Sequence, residues 1–104
     1  MAWPFSGVTA PNFDSGFVTL PTSLTNIPNS PAGTSWLLGI HLNNTSAATV
    51  TVTVKDGSSV TVLQVDVLAG QAMAIEWPFM PASGTYQWSA DTALAVIGKL
   101  WGYS

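Results

Sequence analysis

ATVTVTVKDGSSVTVLQVDV, residues 48–67, is the stretch whose reading decides the fold. Val50, Val52 and Val54 alternate with Thr49, Thr51 and Thr53. A period of two places the valines on one face of a strand and the threonines on the other. All six are β-branched and stiff at χ1, which suits a pleated, half-buried surface. Asp56-Gly57 follows, a strong hairpin signal because glycine accepts positive φ without steric cost. Val60, Thr61 and Val62 resume the alternation, so the stretch reads as a β-hairpin. Past Val62 the apolar set changes parity to Leu63, Val65 and Val67. Such a change calls for a β-bulge or a strand that leaves one sheet for another.

Working outward, residues 35–43 (SWLLGIHLN) read as a strand, with Trp36, Leu38, Ile40 and Leu42 on one face and Leu37, Gly39, His41 and Asn43 on the other. Residues 43–46 and 69–71 are turn clusters. Residues 72–77 form a strand with Met73, Ile75 and Trp77 on one side. Residues 78–84 hold Pro78 and Pro81, which argues for a loop presenting Phe79 and Met80. Tyr86 and Trp88 mark a short strand, Asp91-Thr92 a turn, and residues 93–101 a closing strand that is apolar on both faces. The spacing predicts an all-β chain: a small antiparallel β-sandwich (jelly-roll or Ig-like) of six to eight short strands, with a small barrel as the alternative.

Residues 1–33 differ in character. They hold five of the seven prolines, Pro4, Pro11, Pro21, Pro28 and Pro31. Proline at this density excludes a helix and removes donors from a central strand. The segment also carries Trp3, Phe5, Phe13, Phe17, Leu20 and Ile27, too apolar a set for a solvated tail. The expectation is an extended, aromatic-anchored N-terminal arm at 1–33 and a sandwich domain at 34–104. The arm either folds back on its own domain as edge strands or lies across a neighbouring subunit.

Composition limits the function. Charged residues make up 7% of the 104 residues, against about 25% in a typical soluble domain. A nearly uncharged β-rich chain with five tryptophans is expected to bury surface against other subunits, as a homo-oligomer or part of a larger assembly. Lys55 and Lys99 are the only cations, too few for direct nucleic-acid binding. No run is long and apolar enough for a membrane helix. One histidine, no cysteine and five scattered carboxylates suggest neither a metal site nor a catalytic constellation. The reading is therefore of a non-enzymatic protein without cofactor. Tryptophans on a β-sandwich also stack on sugar rings, so a carbohydrate-binding module is a competing expectation.

Taken together, SWLLGIHLNNTSAATVTVTVKDG (residues 35–57) and VLAGQAMAIEWPFMPASGTYQWSADTALAVIGKLWGY (residues 67–103) resemble small β-rich structural proteins of tailed bacteriophages. The resemblance lies in the order of elements: a strand with an Asn-Asn-Thr turn, a Val/Thr hairpin, an Ala-Gly-Gln turn, a loop with Pro and Phe, then Trp-Ser-Ala and Leu-Trp-Gly-Tyr. It covers residues 35–104. It implies a virion protein made in the host cytoplasm: a capsid decoration (cement) protein bound to major capsid protein, with a homotrimer favoured, or else a tail, neck or fibre-associated subunit. The expected contact residues are Trp3, Phe5, Phe13 and Phe17 from the arm, and Phe79, Met80, Trp101 and Tyr103 from the domain.

Overall fold

The computed structural model describes residues 13–103, and for residues 77–82 the backbone alone. The strands are β1 (Phe13–Asp14), β2 (Val18–Thr19), β3 (Thr25–Asn26), β4 (Ser35–Asn44), β5 (Val50–Lys55), β6 (Thr61–Val67), β7 (Ala72–Ala82), β8 (Gln87–Ala90) and β9 (Val96–Tyr103). Helix is absent among the described residues. One sheet runs β1-β9-β4-β7, with β2 also on β9, and the second runs β3-β8-β5-β6. All pairs are antiparallel. If β1 and β2 are taken as one interrupted strand, the chain pairs first with last, second with seventh, third with sixth, and fourth with fifth. This nesting is a long folded-over hairpin rolled into a sandwich, the jelly-roll connectivity.

The core lies between the sheets. Val50, Val52 and Val54 are fully buried from β5, and Ile40, Leu42, Val96 and Leu100 face them from β4 and β9. Trp88 fills the centre from β8, packed where β9 carries Gly98. Four buried polar side chains each have a hydrogen-bond partner. Ser15 bridges the gap between β1 and β2, accepting from the Leu100 N–H at 2.9 Å. Ser35 donates to the Tyr86 hydroxyl at 2.9 Å. Asn44 donates to the carbonyls of Ala48 and Val67 and accepts from Ser46. Asp56 accepts from the N–H groups of Ser58 and Val60. No buried side-chain nitrogen or oxygen among the described residues lacks a partner.

The ladders decide between some expectations and correct others. Residues 13–33 take the first of the two courses given for the arm and fold back on the domain. Phe13, Leu20 and Ile27 are buried in the common core, and β1, β2 and β3 are edge strands of the two sheets. Pro21, Pro28 and Pro31 lie between or after these fragments, where no ladder donor is required of them. The boundary at residue 33 therefore falls inside the packed unit, and Trp3 and Phe5 lie outside the described residues. Residues 78–82 belong to β7, not to a loop, and Pro78 and Pro81 are tolerated because β7 is an edge strand, which needs only half its donors.

Two bulges redistribute side chains. Leu37 pairs with Gly102 and Gly39 with Trp101, so Leu38 is an extra residue in β4. The apolar faces consequently exchange at that point. Leu37, Ile40 and Leu42 face the core, while Trp36 joins Gly39 and His41 on the outside. Likewise Val54 pairs with Leu63 and Lys55 with Thr61, so Val62 is the extra residue behind the parity change in β6. The turn at Asp56 stands where expected but by other means. The left-handed residue is Ser59, with φ of 64°. Gly57 is required instead because the backbone of Gly84 lies where its Cβ would stand, and its N–H donates to Ser83 at 2.8 Å. The closing strand begins at Val96 rather than residue 93, after an exposed Leu94 with φ of 58°.

Candidate functional site

The two outer faces of the sandwich differ in chemistry. On the four-stranded sheet the face is polar and internally paired: Thr51 donates to Asp66 at 2.7 Å, Gln64 to Thr53 at 3.3 Å and Gln87 to Asn26 at 3.1 Å. On the five-stranded sheet the register brings aromatic residues together. Trp36 stands opposite Tyr103, Gly39 opposite Trp101, and His41 opposite Lys99 on adjacent β4 and β9. Trp36, His41, Trp101 and Tyr103 are half-buried.

Trp101 is held by an absence. The six-membered ring of its indole occupies the space that a Cβ at Gly39 would need, so the ring settles over the β4 backbone. To one side, Asp14 pairs with Trp101 across β1 and β9. To the other, Glu76 pairs with Gly39 across β7 and β4 and is exposed. The row across the sheet is thus carboxylate, indole over glycine, carboxylate.

The next row is a small mixed cluster. The Phe17 ring meets His41 edge-on at 5.8 Å, and the Lys99 ammonium lies 5.3 Å from its centroid. Lys99 also pairs with Asp14 at 3.1 Å. Phe17 nevertheless remains 65% exposed. Such exposed pairs contribute little to stability, of order 0.5 kcal/mol each, so Phe17 is poorly explained as a folding residue. Ile97 extends the apolar surface beyond Lys99. Past it, Leu94 and Ala93 wall an open groove of about 370 Å³ with residues 19–23.

The expected contact residues divide accordingly. Phe17, Trp101 and Tyr103 share the outer face of the five-stranded sheet. Phe13 does not: it is buried and stacked on Tyr86, with ring centroids 6.4 Å apart. Phe79 and Met80 lie in β7, and their side chains are outside the described set, as are Trp3 and Phe5. Trp36 and His41 were missed as members of this face. The parity of β4 read from sequence concealed Trp36, and only the bulge at Leu38 reveals it.

The carboxylates outside this face are occupied structurally. Asp56 and Asp91 accept turn or strand N–H groups, and Asp66 accepts from Thr51. Among the described residues no three of His, Asp and Glu gather as metal ligands. The Tyr86 pKa is raised above its ordinary value. Burial pushes it up, the Ser35 hydrogen bond opposes this, and the Asp56 charge adds to the rise. It sits in the core. Comparison with family models, curated proteins and solved structures returns no match.

Proposed function

We propose that this is a non-enzymatic virion structural protein of a tailed phage, a decoration (cement) protein that attaches across major capsid protein subunits through the aromatic face of its five-stranded sheet. The observation that supports this is the asymmetry of the two faces: hydroxyls and amides already paired on one, Trp36, Phe17, Ile97, Trp101 and Tyr103 gathered on the other. Clustered aromatics are the mark of interface centres, and Asp14, Lys99 and Glu76 supply polar groups among them. A patch burying about 800 Å² per partner, at about 25 cal/mol per Å², has a gross driving force of several times the cost of association. Contacts with more than one capsid subunit would then be lost only together. The jelly roll occurs in both capsid and lectin domains, and so supports a surface-attachment role without choosing the partner.

The test is co-sedimentation with phage heads assembled without the protein. Wild type is expected to saturate the heads, and the double variant Phe17→Ala/Trp101→Ala to remain in the supernatant while keeping its far-UV spectrum. Equal binding by the double variant would remove the face from the proposal. A truncation that probes the N-terminal residues should remove 1–12 only, since Phe13 and Leu20 belong to the core.

A second reading has its own observation. An indole seated between Asp14 and Glu76 has the form of a sugar platform, with an apolar ring to stack on and hydrogen-bonding groups at both sides. Saturable binding of an oligosaccharide, abolished by Trp101→Ala, together with no binding to heads, would favour this reading over the first.

A further inference from the structure

Each sheet has two edges, and three of the four are guarded against pairing. β1 and β2 are two-residue fragments, β3 is another, and β7 carries Pro78 and Pro81. Short strands and prolines are the ordinary means of blunting an edge. β6 has neither. It is a seven-residue strand, TVLQVDV, without proline, glycine or cation. Among the described residues its only ladder partner is β5, leaving its other side open.

The surroundings of this edge are apolar. Val62, Leu63 and Val65 are only partly buried, although they pack against the core. Val60 and Leu68, at either end of the strand, are 56% and 60% exposed. Gln64 stands midway between them, on the outer face opposite Thr53. An antiparallel copy of β6 placed on a two-fold axis at Gln64 would therefore meet itself in good register. Gln64 would face Gln64, whose amides can donate and accept reciprocally. Leu63 would face Val65 on the core side, and Val62, the extra residue of the bulge, would stand opposite Asp66. No like charges would oppose each other, and the exposed Val60 of one copy would reach the end of the strand that carries Leu68 of the other. The bulge at Val62 limits the new ladder to residues 62–66.

We infer that β6 pairs with β6 of a second copy, joining two four-stranded sheets into one continuous eight-stranded sheet. The contact is isologous and closes at two copies, whereas the resemblance implied a homotrimer. It uses the opposite sheet from the aromatic face, so it stands whether or not that face binds a capsid.

Sedimentation equilibrium of the full chain tests it. Wild type is expected to behave as a dimer. Gln64→Lys and Gln64→Glu each place like charges opposite one another at the axis. Each should weaken dimerisation by roughly fivefold or more. Mixing the two variants should restore the dimer, which shows that both still fold. Gln64→Cys, in a chain without native cysteine, should form a disulfide-linked dimer on mild oxidation. A wild-type monomer or trimer, or a dimer that both charged variants leave intact, would overturn the inference.

Discussion

Gly39 and Trp101 are register partners on β4 and β9, and the indole of the second stands in the space a side chain on the first would need. The arrangement ties a surface property to a backbone position. Glycine at 39 has no role in a turn here. It lowers the surface of β4 by one carbon so that a large ring can rest on it.

Gly39→Ala therefore should lift Trp101 from the sheet. Overpacking of this kind costs about 1–3 kcal/mol. The near-UV circular dichroism should change and the melting temperature should fall, by about 4–8 °C per kcal/mol for a domain of this size. An unchanged spectrum and melt would mean that the indole has another resting place at no cost.

Asn44 is 1% exposed and closes the β4–β5 connection with both ends of its amide. Asn44→Ala leaves the carbonyls of Ala48 and Val67 without that donor, and the Ser46 N–H without that acceptor. The expected loss is about 2–3 kcal/mol, read from the midpoint of urea unfolding with an unchanged slope. Asn44→Asp keeps the acceptor and removes the donor, and should also destabilise.

Tyr86 predicts the alkaline limit. Its folded pKa lies above the ordinary 10.0, with burial the largest cause. The stability this contributes is fully present below pH 10 and is lost as pH rises through the folded value. Stability measured between pH 9 and 12 should therefore fall for wild type. Tyr86→Phe should flatten that fall while costing about 1–2 kcal/mol at pH 7, because the buried Ser35 hydroxyl loses its acceptor.

Leu94 combines a left-handed backbone, φ 58°, with 83% exposure. A bulky residue in that region costs about 1–2 kcal/mol, and the exposed side chain returns little. Leu94→Asn should raise stability by about 0.5–1 kcal/mol, since asparagine tolerates the conformation. A drop in the melting temperature would show that Leu94 makes a contact worth more than its strain.

Much of the architecture was legible because it depends on alternation alone. The Val/Thr pattern gave β5, and the turn clusters at 43–46 and 69–71 bounded its neighbours. What escaped depends on partners distant in sequence. The side of the sheet on which Trp36 emerges is decided by Leu38, whose status as an extra residue exists only in the ladder with β9. The prolines at 78 and 81 read as strand breakers because edge position is a property of the sheet, not of the segment. Gly57 read as a conformational glycine, yet its requirement comes from Gly84, which lies far along the chain. The candidate face was half visible for the same reason: Phe17, Trp101 and Tyr103 stood out as aromatics, but nothing local joined them to Trp36 and His41.

The nested pairing also sets an order of assembly. β5 and β6 can close as soon as both exist, since they are joined by a short turn. β9, by contrast, lies between β1 and β4, and the Ser15 hydroxyl waits for the Leu100 N–H across a separation of 85 residues. During synthesis, the five-stranded sheet cannot form until residues 96–103 have left the ribosome. Until then β4 has an open side and Phe13, Leu20 and Ile27 have no finished core to enter. The nascent chain thus keeps one side of β4 uncovered until β9 is made. Folding should be slow for its length, and yield on expression should depend on chaperone supply more than on final stability.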